Sequence, residues 1–219
     1  MKNILEILYS IPKPLLQTLY MVSISTLFSL ILGLPLGIIL RVTSKGHILE
    51  NSKINKILDT IVNIFRSVPF IILIVALFPI SKILVGTTIG STAAIVPLSI
   101  AATPFVARII DTSLGEVPYG LIEAALSMGA NNFEIIFKVM LKEVLPSLIS
   151  GITLTIINII GYSAMAGAIG GEGIGDYAIR EGYMRYNNEI ILITIVVLII
   201  LVQIIQSTGN YFTKKFDKR

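Results

Sequence analysis

Long apolar stretches separated by short polar ones dominate this chain. Five of the stretches are long enough to cross a bilayer as helices, since one crossing needs about 20 residues. They cover residues 18–40, 68–89, 93–110, 148–169 and 190–211. Prolines interrupt the second and third stretches, and they are tolerated in spanning helices where neighbouring helices or water satisfy the freed carbonyls. The pattern predicts an all-α integral membrane protein with five transmembrane helices.

The composition also indicates a membrane protein. The 219 residues are 54% hydrophobic and 14% charged, whereas charged residues make up about a quarter of a soluble domain. Five crossings leave no room for a soluble domain of useful size. The chain contains no cysteine, which excludes a disulfide framework and a thiolate metal site.

Lysine and arginine residues divide unequally between the two sides of the predicted spans, and this division sets the orientation. The richer side carries Arg41, Lys45, Lys53, Lys56, Arg108, Lys138, Lys142, Lys214, Lys215, Lys218 and Arg219. The poorer side carries Lys2, Lys13, Lys82, Arg180 and Arg185. Because the richer side is cytoplasmic, we expect an external N-terminal segment over residues 1–17, a membrane domain over 18–212 and a basic cytoplasmic tail over 213–219. The loop over residues 111–143 is then cytoplasmic.

Several functional classes lack the residues that they would need. No Asp, Glu, Lys, Arg or His lies at the centre of a predicted span, where ion-coupled carriers usually place such groups. No phosphate-binding G-x-x-x-x-G-K-[ST] loop is present, and the single histidine, His47, lies in a basic loop that we expect to be solvated. The basic residues are scattered at the ends of apolar stretches. We therefore expect no enzymatic or ATPase site, no metal or cofactor, and no nucleic-acid partner.

Small residues predict where helices approach and where the chain turns. Gly33 and Gly37 are four residues apart in the first span and form a ridge that lets a second helix pack closely. The glycine-rich residues 167–175 follow a span rather than a strand, and they predict an irregular external turn or a re-entrant segment.

The fourth span is the candidate for lining a pathway, because small and polar residues recur along it every three or four positions. These residues are Ser147, Gly151, Thr155, Asn158 and Tyr162. Such a stripe faces protein or water rather than lipid.

The loop over residues 111–143 predicts two short helices. Pro118 can occupy the first turn of a helix over residues 119–128, and Gly129 is a natural residue to end it. Asn131 and Glu134 form a capping box for the second helix. Its helical spacing predicts one apolar face made of Phe133, Ile136, Phe137, Met140, Leu141 and Val144. Amphipathicity alone is also consistent with a simple connector at the membrane surface.

One motif in this loop resembles a known family. Glu123, Ala124 and Ala125 are followed after three residues by Gly129, and after nine more by Val139 and Leu141. This spacing resembles the EAA loop of permease subunits of ATP-binding-cassette importers. The resemblance implies that Glu123, Ala124, Ala125 and Gly129 form the contact with a separate ATPase. Lys142 stands where the family has a proline, and Pro146 follows four residues later.

Further stretches resemble the methionine-importer permeases within that family. They are GLPLG at 33–37, RSVPFIIL at 66–73, AAIVPL at 93–98, PFVAR at 104–108 and GYSAM at 161–165. The resemblance implies a homodimer in the bacterial cytoplasmic (inner) membrane, two ATPase subunits, and an external binding lipoprotein that delivers D- or L-methionine. It also implies a gate at Ser163 and Met165, beside the pathway residues Asn158 and Tyr162.

Other functions remain open at this point. An importer for another amino acid or small solute would share the same motifs. An ion-coupled secondary transporter would need buried ionisable groups, and a non-transporting scaffold would recruit no ATPase.

Overall fold

The computed structural model describes residues 4–217, so Lys2, Lys218 and Arg219 of the charge count lie outside the described residues. Within that range every regular element is a helix, which confirms the all-α prediction. The helices are α1 (Ile4–Ser10), α2 (Pro12–Val42), α3 (Ser52–Ser67), α4 (Phe70–Val85), α5 (Ser91–Leu114), α6 (Tyr119–Ser127), α7 (132–143), α8 (Leu145–Ala166), α9 (173–183) and α10 (Asn188–Phe216). Three of their segments are π-helical: Ile135–Met140 in α7, Gly167–Gly171 directly after α8, and Ala178–Tyr183 in α9.

Among the described residues, four helices are long and apolar enough to cross a membrane, namely α2, α5, α8 and α10. The second predicted span, over residues 68–89, falls on a bent pair of helices, because α3 and α4 meet at an angle of 109°. The predicted bounds 68–89 are therefore wrong for the helix itself: α4 covers Phe70–Val85 and ends at Gly86, whose φ of 84° is left-handed. Residues 52–67, expected to be part of a loop, form a separate helix instead.

The ends of the bundle also differ from the predicted segments. Pro12 lies in the first turn of α2, where a missing N–H costs nothing, so the first span begins six residues before the predicted residue 18. Helix α10 continues to Phe216, so most of the expected tail is helical. Asn187 caps α10 by accepting hydrogen bonds from the backbone N–H groups of Glu189 and Ile190.

Helices α2 and α5 form the closest helix pair, and the predicted glycine ridge is confirmed there. A methyl group on Gly33 would lie 2.6 Å from Val106 Cγ1, and one on Gly37 would lie 2.5 Å from the backbone oxygen of Ala107. Only glycine allows this approach. Because α2 and α5 contact along their length, a displacement of either helix is passed to the other.

Candidate coupling surface and pathway face

Helix α6 begins after Pro118 and ends in a Schellman motif, as the glycine predicted. Gly129 has φ of 80°, and its N–H donates to the carbonyl of Leu126 over 2.9 Å. The N–H of Ala130 donates to the carbonyl of Ala125 over 3.1 Å. These two bonds satisfy carbonyls that the helix end would leave free, and they set the exit direction of the chain.

The capping box of α7 is also confirmed. The N–H of Glu134 donates to Asn131 Oδ1 over 2.9 Å, and the N–H of Asn131 donates to Glu134 Oε2 over 3.2 Å. Lys138 Nζ donates to the same carboxylate at Oε1 over 2.7 Å. The hydrogen bond from Lys138, and then that from Asn131, lower the pKa of Glu134 below its usual value.

The predicted apolar face of α7 is partly wrong. Ile136 and Met140 are buried as expected, but Phe133 and Phe137 are exposed and stack on each other with ring centroids 4.3 Å apart. Ile135, which was not predicted, is fully buried. The cause is the π-helical segment Ile135–Met140, which changes the helical period on which the prediction relied.

Helix α6 has two unlike faces. Ile122 and Ala125 point into the protein, with Ala125 only 3% exposed. Glu123 and Ala124 point outward, and Gly129 is exposed at the exit. The structure thus separates the predicted contact residues, because Ala125 fixes α6 to the bundle while the other three are accessible.

The inner face of α6 belongs to one continuous core at this end of the bundle, which we call the α6 end. Its buried members are Ile38 and Val42 of α2; Val106, Ile110 and Leu114 of α5; Val117, Ile122 and Ala125; Ile135, Ile136 and Met140 of α7; and Val144 and Leu148. Three long helices therefore contact the same core as α6. Packed side chains thus connect the inner face of α6 to α2, α5 and α8.

A charge cluster lies beside this core and was missed by the sequence analysis. Arg41 at the end of α2 contacts Asp111 of α5, with Nη2 2.9 Å from Oδ1. Arg108 lies 3.0 Å from the other oxygen of Asp111 and 2.5 Å from Asp59 of α3. The ion pairs join α2, α3 and α5. Arg41 and Arg108, which entered the sequence analysis only as indicators of orientation, therefore also connect helices.

His47 was expected to be solvated, and this is wrong. The side chain is half-buried in the turn between α2 and α3. Burial, and then the nearby charge of Arg41, lower its pKa.

The exposed stripe of α8, which we call the pathway face, consists of Ser150, Leu154, Asn158, Gly161 and Met165. These residues recur every three or four positions, so they lie on one side of the helix. Leu154 is 49% exposed and Met165 is 47% exposed. Among the described residues, no atom lies within 4 Å of a methyl group added to Gly161. The described part of the chain leaves this face uncovered.

The polar stripe predicted from the sequence therefore lies on a different side of α8 from the pathway face. Gly151 packs tightly against Ile109, and Thr155 is buried. Tyr162 stacks on Phe70 of α4 with ring centroids 4.3 Å apart. Ser163 is 1% exposed and donates to the carbonyl of Ile160 over 2.8 Å, so it does not reach the pathway face. Of the predicted pathway residues, Asn158 and Met165 lie on the open side.

Lys142 lies in the last turn of α7, whereas Pro146 lies in the first turn of α8. The proline thus occupies a position where a helix accepts it, four residues after the family position. Ser147 donates to Glu116 over 2.6 Å and ties the start of α8 to the turn before α6. The departure from the motif moves the start of the fourth span and leaves α6 intact.

The glycine-rich segment at the opposite, or α9, end forms an irregular turn, as expected. Ile169 and Gly170 leave the helical conformation there. Glu172 has φ of 59° and ψ of −166°, a conformation that is essentially reserved for glycine. Its carboxylate accepts hydrogen bonds from Gln17 Nε2 over 2.6 Å and from the N–H of Ser91 over 3.4 Å. This strained residue joins the turn to α2 and α5.

Comparison with known proteins agrees with these features. Residues 33–219 match the family described as binding-protein-dependent transport system inner membrane component. The chain is 54% identical over 203 residues to the probable D-methionine transport system permease protein MetI of Vibrio cholerae, covering 93% of this chain and 90% of the relative. It is 48% identical over 181 residues to the methionine import system permease protein MetP of Bacillus subtilis, covering 83% of this chain and 82% of the relative.

Two solved structures resemble the fold. A chain from inward-facing conformations of the MetNI methionine ABC transporter, in the native crystal form, superposes with a TM-score of 0.96 at 42% identity and full coverage of both chains. A chain of an amino acid ABC transporter superposes with a TM-score of 0.75 at 19% identity, covering 93% of this chain and 92% of that chain, a likeness of fold alone. With a family match that spans most of its length, the chain belongs to the inner membrane components of binding-protein-dependent transport systems.

Proposed function

We propose that this chain is the permease subunit of an ATP-binding-cassette importer that takes up D- or L-methionine. Two copies form the pathway, and two copies of a separate ATPase supply the energy, so this subunit performs no catalysis itself. The relatives from Vibrio cholerae and Bacillus subtilis, both named for methionine transport, support the substrate. The match to a methionine transporter chain over the full length supports the architecture.

The two-faced helix α6 is the observation that carries this proposal. Glu123 and Ala124 leave the outer face partly small and partly acidic, which suits insertion into a groove that contains a basic residue. Ile122 and Ala125 fix the inner face to the core shared with α2, α5 and α8. A partner that closes on α6 would therefore move three spanning helices together.

Movements of the spanning helices would also move the pathway face of α8. In a homodimer the two faces would meet across a central route, and rigid-body rocking of the subunits would open it to alternate sides. Asn158 and Gly161 leave room for a polar backbone group of the solute, and Met165 supplies a flexible apolar gate. Tyr162 and Ser163 would act from behind this face, through their packing on Phe70 and Ile160.

The proposed orientation places the α6 end in the cytoplasm and the α9 end outside. The N-terminus then lies outside and the C-terminus lies in the cytoplasm, which agrees with the excess of lysine and arginine at the α6 end. An external binding lipoprotein would deliver the solute to the α9 end.

Transport by the complex reconstituted with its ATPase and binding protein tests the proposal. Glu123→Gln removes the charge, and Gly129→Ala forces a left-handed alanine that costs about 1–2 kcal/mol, a factor of about 5–30. We expect labelled methionine uptake to fall at least about fivefold in both variants while ATP hydrolysis continues, because each change disturbs the contact with the ATPase. Gly86→Ala is the matched control, because Gly86 also has a left-handed φ, of 84°, in open space.

Three outcomes would contradict the proposal. Full uptake by both variants would remove the coupling role of α6. Uptake of another amino acid in preference to methionine would change the substrate. Uptake driven by an ion gradient without ATP would indicate a secondary transporter.

A further inference from the structure

Helix α3 carries an apolar face that the other residues described by the structure do not cover. Ile54, Ile57, Ile61 and Ile64 are exposed, with Ile57 60% exposed, and they recur every three or four residues. Together they form one stripe, which we call the isoleucine face. An isoleucine stripe of this length on a surface helix requires a partner that is itself apolar.

The other sides of α3 face different surroundings. Val62 and Leu58 pack against Leu40 of α2 and Ala107 of α5. Asn55 donates to the backbone oxygen of Leu40 over 2.6 Å. A third side, with Lys53, Lys56 and Thr60, is exposed and polar. The helix thus has a protein side, an apolar side and a polar side.

The direction of α3 identifies the apolar surroundings. It meets α4 at 109°, after a break of only two residues. Because the two helices are nearly perpendicular, α3, whose 16 residues extend about 24 Å, would run along the membrane plane when α4 crosses the bilayer. Beyond the break, Ile71, Ile72 and Val75 are likewise exposed on α4. Both helices therefore carry exposed apolar side chains.

We propose that α3 lies in the headgroup region of the cytoplasmic leaflet, with its isoleucine face in the acyl chains and Lys53 and Lys56 against anionic phospholipid headgroups. Amphipathic helices with lysine beside a broad apolar face bind bilayers in this way. The choice of leaflet rests on the proposed function and its orientation.

This position would connect the lipid surface to the spans. Asp59 and Asn63 of α3 both accept hydrogen bonds from Arg108 Nη2, over 2.5 Å and 3.1 Å. Arg108 in turn contacts Asp111, which contacts Arg41. A shift of α3 at the membrane surface would thus be felt at the ends of α5 and α2.

Spin labels test the placement, because the chain has no native cysteine. Ile61→Cys and Thr60→Cys place labels at neighbouring positions along the axis of α3, about 100° apart around the helix. The full chain is reconstituted in vesicles of phosphatidylcholine and phosphatidylglycerol. We expect the label at 61 to collide with oxygen more than with a water-soluble nickel chelate, and the label at 60 to show the reverse. Ile57→Cys, on the same face, should agree with Ile61→Cys.

Two results would overturn the placement. Low collision rates with both reagents at positions 57 and 61 would mean that protein covers the face, either a second copy or the ATPase. A high collision rate with the nickel chelate at these positions would place the face in water.

Lipid-dependent melting tests the headgroup contact. Phosphatidylglycerol should raise the apparent Tm of the purified chain more than phosphatidylcholine does, and Lys53→Gln with Lys56→Gln should remove about 4–8 °C of that difference. An equal gain from both lipids, or an unchanged lipid difference in the Lys53→Gln and Lys56→Gln variant, would refute the contact. Neither experiment measures uptake, so failure here leaves the transport proposal standing.

Discussion

Gly37→Ala adds one methyl group between α2 and α5. We expect it to weaken the contact between these helices more than the small size of the group suggests. The added carbon would lie 2.5 Å from the backbone oxygen of Ala107 and 2.7 Å from Ile110 Cβ, whereas ordinary contacts are 3.4–4 Å. A backbone carbonyl and a Cβ cannot rotate away, so the two helices must separate by about 1 Å to restore ordinary contact. The substitution therefore acts on the helix pair itself.

The expected cost follows from two opposing effects. Overpacking costs about 1–3 kcal/mol, and replacing glycine by alanine within a helix returns about 0.5–1 kcal/mol. The net destabilisation is about 0–2.5 kcal/mol, and for a chain of this size that lowers Tm by up to about 10 °C. Gly161→Ala is the matched control, because its methyl group meets no atom within 4 Å. We expect its Tm to stay the same or to rise.

Thermal unfolding of the purified chain, followed by circular dichroism at 222 nm, measures both variants. The order of the two Tm values matters more than their absolute size, because both variants make the same chemical change. If Gly37→Ala melted at or above Gly161→Ala, the close approach of α2 and α5 would be wrong.

Substitutions at two more positions test the ends of the bundle. Asp111→Asn leaves Arg41 and Arg108 without their shared carboxylate. We expect the free energy of unfolding to fall by about 2 kcal/mol and Tm to fall by several degrees. An unchanged Tm would show that the charge cluster does not stabilise the fold. Glu172→Gly and Glu172→Ala both lose the hydrogen bond from Gln17, but only glycine relieves the backbone strain. The glycine variant should therefore be more stable than the alanine variant by about 1–3 kcal/mol, and the reverse order in urea unfolding would contradict the strain.

The features that local chemistry determines could be predicted from the sequence. The end of α6 at Gly129 and the cap at Asn131 depend on residues within one turn, and both occur as expected. The approach of α2 and α5 was readable because Gly33 and Gly37 are four residues apart. The spans followed from hydropathy, although Pro12 moved the start of the first one.

Features that depend on tertiary packing could not be predicted. Gly151 and Asn158 look equivalent in sequence, yet one packs against Ile109 and the other lies on the pathway face. The π-helical segment in α7 exposes Phe137. The spacing of apolar residues in this segment does not predict the change of helical period. Helix α3 was missed although its signal was present, in the isoleucines at 54, 57, 61 and 64 and the cap at Asn51.

We propose above that the ATPase binds the outer face of α6. The affinity of the purified ATPase for the detergent-solubilised chain measures this contact. Ala124→Leu adds bulk to that face without entering the core, and Ala76→Leu makes the same change on the exposed side of α4. Overpacking a fitted contact costs about 1–3 kcal/mol, so the first variant should raise Kd by about 5–150-fold. The second should bind like the parent. Parent-like binding by Ala124→Leu would contradict the account.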